Sequence, residues 1–272
     1  MINTKPEVKI IADSIAHDAP RLTTFQVKYW RPLLAETNTH RVFSRNASSS
    51  RARSFESMCD EAVTETFCPA HWNHEQKGMQ GGAEFDEEIK AFIDGKIQDL
   101  ADITVQHIKN IDEEVYARTG HHIHKQYLNR YTEPFRPVIQ LITATEWSNW
   151  NKLRISDLAQ PEIMDLANLM SAVRANAQPT VLTDKGWHLP YIIPSEWERF
   201  DIDTLKKLSV ARCARVSYGT SYKADVERDI ALHDRLLKNG HLSPFEHVAT
   251  PSFDKTLERN FKGWIQYRTL NE

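Results

Sequence analysis

The chain has 272 residues, 40% hydrophobic and 26% charged, with a net charge of −3. This is the balance of an ordinary soluble protein, long enough for one large domain or two small ones with a substantial core. It lacks the basic excess of a dedicated nucleic-acid binder, any run of eighteen apolar residues suited to a membrane, and a signal-peptide pattern in the polar-interrupted stretch 1–12. Cys59, Cys68 and Cys213 are odd in number and widely spaced, which fits reduced cytoplasmic thiols better than a disulfide framework.

Residues 8–12 read as a short first strand. Over 22–30 the residues Phe25, Val27 and Tyr29 fall on one side, the alternation of a half-buried strand. Pro32 opens a short helical run, 33–37, which delivers a polar loop at 39–51. Those thirteen residues hold one histidine, three arginines, an asparagine and four serines. Arginine forks, serine hydroxyls and free backbone N–H groups together suit an anionic ligand. The same composition also describes a solvated basic loop or a phosphorylation-prone serine tract.

A helix is predicted over 54–67, with Met58, Ala62 and Phe67 on one face, followed by a loop over 68–82. Cys68, His71 and His74 in that loop lack a fourth ligand at a recognisable spacing, so a surface loop is the better reading than a metal site. From Glu84 an apolar period of helical type runs through Ile89, Phe92, Ile93, Ile97, Leu100, Ile108, Ile111 and Val115, with Gly95 as a candidate break. His121, His122 and His124 crowd a short segment, but adjacent histidines point in different directions and read as structural or exposed.

An apolar stretch over 138–142 precedes a polar run ending at Arg154, and Pro161 starts a helix that buries Ile163, Leu166, Met170 and Val173. Residues 175–195 form a connector with three prolines, either a lid or a packed loop, and a helix resumes over 202–210. A further helix is predicted over 226–237, with Gly240 as its cap and Ser243, Pro244 and Glu246 opening a new helical turn.

Three groups of residues in this order carry a resemblance. His40, Arg41, Ser44, Asn46, Ser49 and Arg51 resemble the signature R-H-R-x-x-S-x-N-E-x-S-x-R-Y of the flavin-dependent thymidylate synthases; Thr39, Ala47 and Ala52 depart from it. Arg130, then Asn149 with Leu153 and Arg154, then Ala159, Gln160, Glu162 and Ile163 resemble that family's second run. Ala214-Arg-Val-Ser-Tyr218 and Gly240-His-Leu-Ser-Pro-Phe-Glu-His247 resemble a third, which in the family precedes the first; the order here looks circularly permuted. The matching runs are 31–54, 129–168 and 210–248, and no counterpart can be placed for 253–268, a strand or helix that would repair the new terminus.

The resemblance, to a divergent member of a kind associated with bacteriophages, implies an α+β fold with a mixed sheet and packed helices. It implies one domain over 1–272, with a helical scaffold at 55–120, a connector at 176–200 and the permuted flavin-binding block at 210–248. It implies methylation of dUMP to dTMP with FAD as cofactor, NADPH as reductant and methylenetetrahydrofolate as one-carbon donor, in a cytoplasmic homotetramer with shared active sites. By the same resemblance Ser49, Arg51, Arg130 and Arg154 bind the nucleotide, with Ser49 and Arg154 catalytic. His40, Arg41, Ser44, Asn46, Asn149, Ser217, His241, Ser243 and Glu246 would hold the flavin, and no metal is implied. Such a route needs no activated cysteine, and none of the three here stands in a nucleophile motif. The departures at Thr39 and Ala47 leave two other outcomes open: another flavin-dependent pyrimidine modification, such as hydroxymethylation, or an inactive nucleotide-binding homologue.

Overall fold

The computed structural model describes residues 5–219, 225–252 and 254–272. In chain order the elements are β1 (Glu7–Ala16), β2 (Ala19–Trp30), α1 (Leu34–Asn38), β3 (Ser44–Ala47), α2 (Phe55–Thr64), α3 (Glu87–Thr119), α4 (Lys125–Leu128) and β4 (Pro137–Ala144). They continue with α5 (Ser148–Arg154), α6 (Pro161–Asn176), β5 (Thr180–Leu182), α7 (Pro194–Trp197), α8 (Ile202–Arg215), α9 (Val226–Lys238), β6 (Ala249–Pro251) and β7 (Trp264–Gln266). Short 3-10 turns at Val216–Tyr218 and Ser243–His247 come after α8 and α9 respectively.

The fold is α+β. A five-stranded sheet runs in the order β3-β4-β2-β1-β5, antiparallel except for the β1–β5 pair, so the sheet is mixed. Alternation along the strands assigns its faces. On the first face Phe25, Val27 and Tyr29 of β2 and Val138 and Ile142 of β4 pack against Ile163, Leu166 and Met170 of α6, with Trp147 and Trp150. On the second face Ile11, Ile139 and Leu141 meet Cys213 and Val216 from the end of α8. Burial of these apolar side chains, each worth roughly 1.5–3 kcal/mol, holds α6 and α8 to opposite sides of one sheet.

Several expectations need correction. The predicted loop 39–51 contains β3, whose Ser44 and Asn46 stand opposite Thr143 and Leu141 of β4; pairing with a free strand edge, not hydrophobic alternation, makes it a strand. Gly95 does not interrupt α3, which runs unbroken for 33 residues from an Asp86 cap to Gly120 at φ 73. A lone exposed glycine costs a helix only about 1 kcal/mol. The apolar row of α3 is also not a uniformly buried face. Its middle (Ala101, Val105, Ile108) packs on Cys59 and Ala62 of α2, while Ile89, Phe92, Leu100 and Ile111 are exposed.

The helix expected over 202–210 continues to Arg215, because Ala211 and Cys213 are themselves buried. The connector holds β5, a three-residue parallel partner for the end of β1. The last stretch supplies a strand, β7, which pairs with β6; Phe253, where that stretch begins, and residues 220–224 of the 210–248 block lie outside the described residues. His71 is held between Glu84 (2.8 Å) and Asp165 (3.0 Å), and His122 contacts Asp112 at 3.0 Å. Among the described residues no cluster of three or more His, Cys, Asp and Glu is arranged for a metal, and no helix is long and apolar enough to cross a membrane.

A buried polar chain crosses the second face. His188 reaches Ser14 Oγ (2.9 Å) and Thr24 Oγ1 (2.7 Å), Thr24 meets Thr143 (2.7 Å), and Thr143 meets His247 Nδ1 (2.7 Å). Burial pushes both imidazoles down to about 3. Below the ordinary histidine value of about 6.5 the unfolded chain binds protons that the fold refuses until about pH 3. Stability therefore falls as pH drops through that window, by about 1.4 kcal/mol per pH unit for each imidazole. Replacing His247 with Gln should flatten the slope by about that amount between pH 6.5 and 5, measured by urea unfolding. An unchanged slope would mean that His247 titrates in the fold as it does in the unfolded chain.

Candidate active site

The C-terminal half of α8 and the 216–218 turn sit over the second face of the sheet, and α9 packs beside them. Gly240, at φ 68, turns the chain out of α9 in a conformation that disfavours other residues. The turn at Ser243–His247 is thereby brought to the β3 edge. These pieces enclose a cavity of about 640 Å³. Asn46, Ser217, His241 and Ser243, four of the residues marked by the motifs, line it. They come from three segments of sequence, and the fold brings them together.

Asn46 is buried, and its Oδ1 accepts a hydrogen bond from the Ser243 hydroxyl. Its Nδ2 is buried with no partner among the described residues. A buried unsatisfied donor costs of order 1–3 kcal/mol, so a ligand acceptor here is favoured. Arg268 also lines the cavity and is clamped by Glu246 and Glu272, at 2.6 Å each. Glu246 itself is not part of the lining and touches it at Arg268. Ser44 faces the same way as Asn46, but its hydroxyl already accepts from Gln266 (2.9 Å) and Asn260 (3.2 Å). It ties the C-terminal segment to β3.

A second group forms on the first face. Arg154, at the end of α5, donates from Nε to His40 Nε2 (3.0 Å) and from Nη2 to Thr39 Oγ1 (3.1 Å) and the Glu36 carbonyl (3.3 Å). The His40 ring stacks on Phe43 and meets Trp150 edge-on, with centroids at 5.5 and 4.9 Å. Burial first, then the Arg154 and Arg45 cations, push His40 down to about 4, against a small upward pull from the Asn149 side chain. At neutral pH the ring is neutral, and accepting at Nε2 puts its proton on Nδ1. Among the described residues, neither hydrogen bond nor ion pair joins Arg154, His40 or Asn149 to the cavity lining. Arg41 is exposed beside them with no side-chain partner among those residues.

The third group is the turn after β3. The Asn129 amide donates to the Ser50 (2.7 Å) and Arg53 (3.3 Å) carbonyls and fixes the turn. The Ser49 N–H donates to the Ser217 carbonyl (2.9 Å), which places Ser49 against the cavity wall. Arg51 projects into solvent. Arg130 is bound to Glu133 (2.8 Å), a carboxylate that also receives the Ser50 hydroxyl and Arg31 (3.2 Å). Burial alone would raise the Glu133 carboxyl; Ser50, Arg31 and Arg130 outweigh it and hold it below its usual range. Glu133, Asn129 and Arg268 escape a reading of the sequence. Their partners lie far along the chain, and no fixed spacing marks them.

The chain is thus an α+β protein with a polar cavity of cofactor size and an arginine-rich turn at its edge. No family model matches it. A flavin-dependent thymidylate synthase of Treponema denticola is 45% identical to it over 65 residues, which are 23% of this chain and 24% of that protein. The match thus spans about a quarter of the relative's length. Over that segment the chain is similar to the family that its motifs resemble. Among solved structures, a UMP/dUMP methylase, PolB from Streptomyces cacaoi bound with 5-Br UMP, is 13% identical, covering 64% of this chain and 90% of its own, with a TM-score of 0.46. The flavin-dependent thymidylate synthase ThyX from Helicobacter pylori, complexed with FAD and dUMP, is 18% identical over 55% of this chain and 66% of its own, with a TM-score of 0.33.

The Arg154–His40 contact carries a prediction of its own. Arg154→Ala should raise the His40 pKa from about 4, since a neighbouring cation is removed, yet burial should keep it below 6.5. NMR titration of the imidazole C–H resonances reports this directly, and a pKa that stays put would mean that Arg154 does not act on the ring.

Proposed function

We propose that the chain is a flavin-dependent methyltransferase of the thymidylate synthase kind, converting dUMP to dTMP with FAD, NADPH and methylenetetrahydrofolate. The observation that carries the reading is the cavity in which Asn46, Ser217, His241 and Ser243 meet, with the buried Asn46 Nδ2 lacking a partner among the described residues. The local similarity to the Treponema denticola enzyme supports the same direction. The cavity volume lies within the range of about 300–1,000 Å³ usual for small-molecule sites. FAD, when bound, supplies hydride transfer. Asn46, His241 and Ser243 would hold and orient it, Ser217 would form its wall, and Arg268, fixed by Glu246, would face its negative portion.

Arg154 is suited to activate the pyrimidine. Three of its N–H groups are committed to His40, Thr39 and the Glu36 carbonyl, and the two on Nη1 have no partner among the described residues. A guanidinium so fixed presents oriented donors to the carbonyl oxygen on which negative charge grows as C5 becomes nucleophilic. The turn at Ser49 and Arg51, with Arg130, would take the phosphate. Within one copy Arg154 and the cavity lie on opposite faces of the sheet, which suits a homotetramer whose sites are completed by a neighbouring copy.

Binding of the flavin is the direct test. The purified protein should be yellow, or should bind FAD with quenching of flavin fluorescence, and Asn46→Leu with Ser243→Ala should weaken that binding at least tenfold, the scale of two lost buried hydrogen bonds. A colourless protein that leaves FAD fluorescence unchanged overturns the reading.

Arg154→Lys keeps the charge but loses the planar fork, and it should slow product formation from labelled dUMP by roughly one to three orders of magnitude. Reduction of the flavin by NADPH without nucleotide should survive, because that step does not use the pyrimidine. Wild-type turnover in Arg154→Ala would remove Arg154 from the mechanism.

A further inference from the structure

A second cavity, of about 500 Å³, lies on the far side of the 216–218 turn from the first. Its floor is the second face of the sheet, at Ile11, Gln26 and Ile139, and its roof is formed by Tyr191, Ile192 and Val216. Arg215 and Val216 of the third motif run belong to its lining, but none of the residues that the resemblance assigns to the nucleotide or the flavin does.

Two features distinguish this space from a packing void. Tyr191 has φ 64, the one positive φ outside glycine among the described residues. Its hydroxyl donates to Gln26 Oε1 (2.7 Å) and its carbonyl accepts from Arg212 Nη1 (2.8 Å), so bonds at both ends hold the strained residue over the cavity. Strain of this kind persists only where the surroundings over-determine it, and it gathers at ligand clamps.

The second feature is charge. Arg212 is buried between Glu196 and Asp229, and Arg215 shares Asp229 at 2.8 Å. Among the described residues these two cations and two carboxylates balance one another. Lys9 remains at the rim, exposed and without an ion-pair partner, so among the described residues the opening carries one uncompensated positive charge beside the apolar side chains of Ile11, Ile139 and Val216. The Gln26 amide, its oxygen taken by Tyr191, keeps its N–H groups for a ligand.

We propose that this cavity is a second small-molecule site, taking an organic monoanion with an apolar or aromatic body packed between Ile11, Ile139 and Val216 and its anionic group at Lys9. The volume suits one ring system with a short substituent, and a dianion would leave a charge unmatched in an apolar setting. The site stands independently of the flavin reading, since the two cavities have no lining residue in common, although both border the end of α8 and the 216–218 turn.

The test uses the full chain and two dyes, anilinonaphthalene sulfonate and its neutral counterpart N-phenylnaphthylamine. The sulfonate should bind saturably at one high-affinity site per chain. Ile139→Trp, which fills the cavity, should abolish that site for both dyes. Lys9→Glu, a change at an exposed side chain that the fold does not need, should weaken the sulfonate about fivefold or more and leave the neutral dye unchanged. Absence of a saturable site, or sulfonate binding unaltered in Lys9→Glu, overturns the proposal. Neutral-dye binding that is unaltered in a folded Ile139→Trp protein does the same, since the dye would then sit elsewhere, such as on the exposed row of α3.

Discussion

The pairing of β3 with β4 is the constraint on which both halves of the candidate site depend. Four residues on the sheet edge alternate sides, and each side does something different. Ser44 and Asn46 point to the second face, where Ser44 takes the Gln266 and Asn260 amides and Asn46 takes the Ser243 hydroxyl. Arg45 and Ala47 point to the first face, where Ala47 packs on the main core and Arg45 donates to the carbonyls of Thr37 (3.2 Å) and His40 (3.4 Å). A shift of one residue in register would exchange the two sets. The cavity would lose its asparagine, and the loop carrying His40 would lose its anchor.

The two departures from the signature also find their place in this geometry. Thr39 stands where the resemblance leads one to expect an arginine, and its hydroxyl accepts from Arg154. A second cation there would repel the first; a hydroxyl instead helps to orient it. Ala47, in place of a glutamate, lies against apolar side chains of the main core, where a carboxylate would be costly to bury without a partner. Both side chains are thus compatible with their surroundings in this fold. The neutral His40 ring follows from the same economy of charge, since it can accept from Arg154 only when it is deprotonated.

How much of this is legible in the sequence depends on which force forms each element. Strands β2 and β4 and helix α6 announce themselves through apolar periodicity, because burial forms them. β3 carries arginine, alanine, serine and asparagine, and no pattern of hydrophobicity betrays a strand made by edge pairing. Motif reading assigns His40, Ser44 and Asn46 one cofactor role because they are neighbours in sequence. The fold gives them three different surroundings: the contact with Arg154, the C-terminal tie and the cavity. Arg268 is invisible for the opposite reason, its partner Glu246 lying 22 residues away across a chain reversal.

Charge distribution supplies what composition hides. The chain is net negative by three, yet the turn after β3 is strongly positive. Arg31 and Arg130 share the single carboxylate of Glu133. Arg53 and Arg136 share that of Glu61, with Arg53 at 2.8 Å and the Arg136 Nε at 2.6 Å. Among the described residues each trio keeps one uncompensated positive charge, and exposed Arg51 has no ion-pair partner. Shared carboxylates fix the guanidinium planes without neutralising them, whereas one-to-one pairing would have cancelled the field. The backbone of this turn is held in place by the Asn129 amide. A chain of net negative charge can thus carry a locally positive turn.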